Sequence, residues 1–172
     1  AWQQDDSCYP AGMRFAYLSL FENNVEAAYG IAEKLCRRYP NAVTVQLLLA
    51  EACLEKGDLG KTEDIVYAIL KTDNDFGRAF FLRIRLHIEK KEYLTANALL
   101  DEFAKQNKVD KDYLLLRSRV LFEWSKNITE AKQCLEKADA LYPQAPDVIL
   151  ACANFCFETK NTVNGKTVND FI

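Results

Sequence analysis

Catalysis needs polar groups that converge on one point, and few residues of this 172-residue chain qualify. His87 is the single histidine, and it stands in an apolar stretch, where a packed, hydrogen-bonded core histidine is the ordinary arrangement. Cys152 and Cys156 lie four residues apart, which puts both thiols on one helix face. A zinc ion would need two further ligands, and none stands at finger spacing. There is no GxGxxG, P-loop or GxSxG sequence to cradle a phosphate or to raise a nucleophile on an elbow. The chemistry on offer is therefore recognition, and no catalytic residue, metal or cofactor is expected.

Composition narrows what is recognised. With 49% hydrophobic and 27% charged residues, 6 Gly and 4 Pro, the chain has the make-up of a packed globular domain. A net charge of -3 disfavours nucleic acid, whose general affinity comes from many Lys and Arg meeting phosphates. No apolar run reaches the roughly 18 to 20 residues that span a bilayer, and the start Ala1-Trp2-Gln3-Gln4-Asp5-Asp6 lacks the pattern of a signal peptide. Six cysteines, Cys8, Cys36, Cys53, Cys134, Cys152 and Cys156, are scattered among apolar residues without a CxxC pair, as reduced thiols of a cytoplasmic protein are. The sequon Asn127-Ile128-Thr129 is the one feature that would suit a secretory lumen instead.

The elements that must position a recognition surface emerge from self-similarity. Tyr39-Pro40 and Tyr142-Pro143 are 103 residues apart, three periods of 34 and one extra residue, and the same offset joins Ala28 to Ala131 and Leu35 to Ala138. Taking Gly57-Asp58 as a turn between two helices sets repeats at 9–42, 43–76, 77–110 and 111–145, followed by a fifth first helix at 146–158. Residues 1–8 form an extension, and 159–172 reads as a polar loop or the start of a longer remainder. The first helices align in columns. Met13, Leu47, Phe81 and Leu115 share the fifth position, Leu20, Leu54, Ile88 and Phe122 the twelfth, and Glu55, Glu89 and Glu123 the thirteenth. The extra residue is expected in the turn around Trp124-Ser125-Lys126-Asn127. Helix-period apolar spacing runs through all these segments, so the chain is expected to be all-α, a superhelical solenoid of stacked helix-turn-helix units. The apolar Cys152, Phe155 and Cys156 in the last helix suggest that the array continues.

A period of 34 residues made of two helices resembles the tetratricopeptide repeat, and Asn127 to Pro143 is similar to its second half, with Ala131, Leu135, Ala138 and Pro143 at the family's positions. The likeness covers about residues 9 to 158. It departs where Gly12, Gln46, Phe80 and Leu114 stand in place of Trp, and Ile84 and Ser118 in place of the packing Gly. The resemblance implies that the second, fifth, ninth, twelfth and thirteenth positions of each first helix line a concave groove. Met13, Tyr17, Phe21, Leu47, Glu51, Arg78, Phe81, Arg85, Leu115 and Arg119 are then the expected partner-binding residues. The twelfth column fits helix packing as well as it fits the groove.

Arg83 and Arg117 occupy the seventh position, where the family has a buried Leu and this chain elsewhere has Phe15, Leu49 and Cys152. Such arginines either pair with Glu51, Glu89 or Glu123 or, with Arg78, Arg85 and Arg119, form a seat for an acidic group of a partner. The family's carboxylate clamp is not repeated: its Lys and Asn positions hold Met13, Tyr17, Leu48, Arg78 and Leu82. The expected function is a protein-interaction scaffold for a peptide or helix within a larger assembly. The alternative is a structural spacer or homodimerisation module whose groove is filled by its own chain.

Overall fold

The computed structural model describes residues 9–72, 77–106 and 109–172, so Cys8 and the expected extension at 1–8 lie outside the described residues. Two compact units follow one another, the first ending at Lys90 and the second beginning at Lys91. The first contains α1 (Tyr9–Phe21), α2 (Val25–Arg38), α3 (Val43–Lys56), α4 (Leu59–Thr72) and α5 (Gly77–Glu89). The second contains α6 (Tyr93–Gln106), α7 (Lys111–Val120) with a π turn at its end (Leu121–Ser125), α8 (Ile128–Leu141), α9 (Pro146–Thr159) and a 3-10 turn (Val168–Asp170). Among the described residues the only β pairing is an isolated bridge between Val163 and Lys166, and the chain is an all-α helical repeat. No helix among them is long and apolar enough to cross a membrane.

What ends each first helix is one residue with positive φ: Asn23 (58°), Gly57 (83°), Lys91 (60°), Lys126 (54°) and Lys160 (59°). A left-handed residue reverses the chain and lets the last turn's carbonyls be satisfied by the amides that follow. In three hairpins the next residue then opens the second helix. Asn24, Asp58 and Asn127 accept hydrogen bonds from the amides of Ala27, Lys61 and Glu130 at 3.3, 3.1 and 3.2 Å. Two second helices close on the Tyr-Pro pairs, because proline forces the residue before it out of the helical region: φ is −128° at Tyr39 and −135° at Tyr142.

The extra residue of the fourth first helix is not in the turn at 124–127 as expected. The helix itself takes it up as the π turn, whose wider winding accommodates one more residue before the left-handed Lys126. Helix interiors thus accept an insertion when one turn can widen, here with Ser125 Oγ donating to the Leu121 carbonyl at 2.9 Å.

Packing within the first unit falls into two clusters. Ala16, Ile31, Leu35, Leu48 and Leu49 join α1, α2 and α3, and Leu47, Leu54, Val66, Ile69, Leu82 and Leu86 join α3, α4 and α5. In the second unit Leu114, Leu121, Leu135, Val148, Cys152 and Phe155 join α7, α8 and α9. Ala28 and Ala131, each fully buried at the same register of its second helix, leave only a methyl group where helices approach.

The C-terminal segment is a second departure. It is a structured cap: Asn164-Gly165 turns a short hairpin, Thr167 and Asp170 form a reciprocal capping box, and Val163, Val168 and Phe171 pack on α8 and α9. Cys152, Phe155 and Cys156 are buried in the same cluster, so their apolar character does not call for a further helix. The segment is anchored at Asp139, 4% exposed, whose carboxylate accepts from Lys166 Nζ at 2.8 and 2.9 Å and from Asn164 Nδ2 at 2.9 Å. Burial alone would raise this carboxyl, but the bonds from Lys166 and Asn164 outweigh it and hold it below the ordinary value.

Asp139→Asn is expected to cost about 1–2 kcal/mol, the lower part of the range for charged hydrogen bonds because Lys166 is partly solvated. A carboxyl with a lowered folded pKa stabilises above its unfolded value and loses that contribution as the pH falls through the folded one. The gap in melting temperature between wild type and variant should therefore close below about pH 4. Equal melting curves at neutral pH would contradict this anchor. The thiols give a second check. Burial pushes Cys53 up to about 11 and Cys152 up to about 12. In the native protein an alkylating reagent followed by mass spectrometry should mark the half-buried Cys36 and Cys134 well before either of them. Equal labelling of all four would contradict the packing.

Candidate partner-binding faces

The first helices α1, α3 and α5 adjoin one another within the first unit, and α7 and α9 do so within the second. In the first unit the ninth-position side chains do not stand open. Arg78 Nη2 donates to Tyr17 Oη at 2.8 Å and to Glu51 Oε1 at 3.1 Å, and its guanidinium lies 5.5 Å from the centre of the Tyr17 ring. One arginine on α5 thereby ties α1 and α3 together. Burial raises the Glu51 carboxyl above its usual value even though Arg78 and Arg85 pull the other way, and burial together with the nearby Glu51 raises the Tyr17 hydroxyl. Arg85 Nη2 donates to Glu55 Oε1 at 2.5 Å.

Of the two expectations for the arginines, these pairings follow intramolecular pairing and give no support to a seat for an acidic partner. Arg117 Nη1 donates to Asn97 Oδ1 at 2.6 Å and Asp101 Oδ1 at 3.0 Å, and Arg119 Nε donates to Glu123 Oε1 at 2.6 Å. With Arg78 and Arg85 bound to Glu51 and Glu55, four of the five guanidinium groups have intramolecular carboxylates, which offset the cost of partly burying their charge. Arg83 instead lies over the Tyr67 ring, 5.1 Å from its centre.

The apolar candidates separate by exposure. Leu47 is fully buried in the α3–α5 cluster and so belongs to the core, a correction to its placement on the groove. Leu54 and Ile88 of the twelfth column are buried as well. Met13 and Tyr17 are half-buried against the α1–α3 cluster, while Phe21 is 80% exposed. Phe81 is half-buried and meets Phe80 edge to face at 6.2 Å. His87 is buried in α5.

In the second unit the same columns enclose a cavity of about 280 Å³ between α7, its π turn and α9. Leu115, Phe122, Leu135, Ala151 and Phe155 supply its apolar wall, and Arg119, Glu123, Asn154 and Glu158 its polar rim. Tyr93 Oη donates to Glu123 Oε2 at 3.1 Å, so that carboxylate is held by two donors, the other being Arg119. Leu150, 61% exposed, and Phe157, 63% exposed, stand on the outer side of α9 in the fifth and twelfth positions. Of this lining the sequence singles out Leu115 and Arg119 as partner-binding, and its groove columns also contain Phe122, Glu123, Asn154 and Glu158. A shallower hollow of about 450 Å³ lies between α7 and α8, lined by Tyr113, Arg117 and Cys134.

No protein-family model and no curated protein matches the sequence. Solved structures do match in shape. A thermophilic TPR protein of Thermus thermophilus, TTC0263, is similar with a TM-score of 0.72 at 15% identity, over 87% of this chain and 81% of that one. PilF of Pseudomonas aeruginosa is similar with a TM-score of 0.62 at 20% identity, over 90% and 70% of the two chains. Yeast Tom70 is similar with a TM-score of 0.60 at 16% identity, over 92% of this chain and 34% of that one. With its helices, their order and these likenesses taken together, the chain has the tetratricopeptide-repeat fold.

Proposed function

We propose that this chain is a protein-interaction scaffold that binds a peptide or helix of a partner protein on the faces formed by its first helices. The observation that carries the proposal is the apolar cavity between α7 and α9 with Leu150 and Phe157 exposed beside it, since clustered apolar side chains rimmed by polar ones mark interaction sites. Met13, Tyr17, Phe21 and Phe81 offer a second such face on α1 and α5. The buried thiols suit a reducing compartment, and a cytoplasmic assembly is part of this reading. The spacer alternative draws on the C-terminal cap, in which the chain covers one of its own faces. That cap leaves Leu150 and Phe157 open, which favours binding.

The double variant Leu150→Asp and Phe157→Asp should retain the melting temperature, because both side chains are largely solvated, and should lose the proteins that the wild-type chain retains from an extract of its own cells. Leu94→Asp, at a site 71% exposed on α6, serves as the control and should retain them. Loss of two apolar contacts corresponds to a drop in affinity of tenfold or more, at about 1.4 kcal/mol per tenfold. Identical retention by wild type and double variant would overturn the proposal for this face.

A further inference from the structure

We propose that the π turn of α7 makes the α7–α9 cavity into a socket for one leucine-sized or aromatic side chain of a partner helix, with a Lys or Arg of that helix meeting Glu158. The inference rests on the scaffold reading above and specifies the partner's chemistry. The left-handed residue stands at the fifteenth position after the helix start in Asn23, Gly57, Lys91 and Lys160, but at the sixteenth in Lys126. The difference is absorbed within Leu121–Ser125, and Phe122 and Glu123 of that turn are themselves part of the cavity wall. At the position of Phe122 the regular first helices have Leu54 and Ile88 buried, Leu20 half-buried and Phe157 exposed; Phe122 is half-buried and borders the cavity. Single π turns inside α-helices are frequent at functional sites.

Size and charge set the occupant. A cavity of about 150 Å³ already holds a benzene-sized group, and drug-sized ligands take about 300 Å³ or more. At about 280 Å³ the socket suits one side chain delivered from outside. Arg119 is matched by Glu123, so among the described residues the charged lining group without an ion pair is Glu158. Lys126 and Lys160, at the ends of the two helices, lie over the rings of Phe122 and Phe157 at 5.9 and 4.6 Å. Glu158 is exposed at the rim, where a cation from the partner can pair with it. Leu150, Asn154 and Phe157 form one stripe at helical spacing along α9, against which a second helix can lie with its anchor in the socket.

The test is selection of helix-forming peptides from a displayed random library on the full 172-residue chain, followed by titration of the best binders. Expected are peptides with Leu, Phe or Trp and a Lys or Arg three or four positions away. Deleting Ser125, which restores a regular turn, should weaken them at least tenfold, and Glu158→Lys should weaken them while improving binding of the same peptides with Glu in place of the basic residue. Ala151→Phe fills the socket from α9 without altering the backbone, and it should reproduce the loss if the deletion fails to fold. Binders without a basic residue, or binders indifferent to Ala151→Phe and Glu158→Lys, would overturn the socket and leave the scaffold reading standing. Failure to select any binder would overturn the socket, and only the extract experiment above would then decide the scaffold.

Discussion

Antiparallel helices joined by two or three residues need a backbone reversal that right-handed geometry cannot provide, and every first helix here meets that need with one left-handed residue. A side chain at positive φ costs on the order of 1–2 kcal/mol, so only Gly57 makes the reversal freely. The others are held by what the reversal allows. The amide of Asn24 reaches back to Ser19 at 2.7 Å and that of Asp58 to Cys53 at 2.9 Å, each spanning five residues and satisfying carbonyls that the helix end would leave bare. The amide of Asn127 reaches back six residues, to Leu121 at 3.0 Å, because the turn before it is widened. At these three turns the left-handed residue keeps its role while the helix leading to it adjusts; after Lys160 the next amide, that of Asn161, donates to Thr159 Oγ1 instead.

Once the reversals are fixed, the apolar columns have no choice of partner. Helix α3 is covered by its own second helix α4, by α2 and by the neighbouring first helices α1 and α5, which is why it buries Val45, Leu47, Leu48, Leu49, Ala50 and Ala52 almost all the way round. Charge then arranges itself around that packing. Arg78 ties α1 to α3 and α5, and Arg117 ties α7 to α6 through Asn97 and Asp101, so arginines that could have awaited a partner serve as cross-ties between helices. Large apolar side chains stay exposed on α1 and α9, at Phe21, Leu150 and Phe157, and also at Leu94 on α6 and Leu141 on α8.

The all-α repeat is legible in the sequence because it rests on periodicity: Tyr39-Pro40 against Tyr142-Pro143 and the apolar fifth, sixth and twelfth columns need no tertiary information. The pairings of Arg78 with Glu51 and of Arg119 with Glu123 are legible for the same reason, since their columns are adjacent or on one helix. Leu47 is misplaced by its column because column position gives direction and not depth, and depth depends on how closely α4 and α5 approach. The π turn is invisible in the sequence because a one-residue excess is satisfied equally by a loop or by a widened helix turn, and only the bonds to Leu121 distinguish them. The C-terminal cap has no period at all. Its order comes from single contacts, Lys166 and Asn164 on Asp139 and Val163 in the cluster, and the first two span 27 and 25 residues of sequence.

The backbone torsion angles of residues 121 to 127, measured by nuclear magnetic resonance from scalar couplings and chemical shifts on the 172-residue chain, show whether the helix or the loop takes up the extra residue. A widened helix turn requires right-handed helical angles through Ser125, a positive φ at Lys126 and an amide of Asn127 protected by the Leu121 carbonyl. A positive φ at Ser125, with Lys126 and Asn127 extended and unprotected, would place the extra residue in the loop and contradict it.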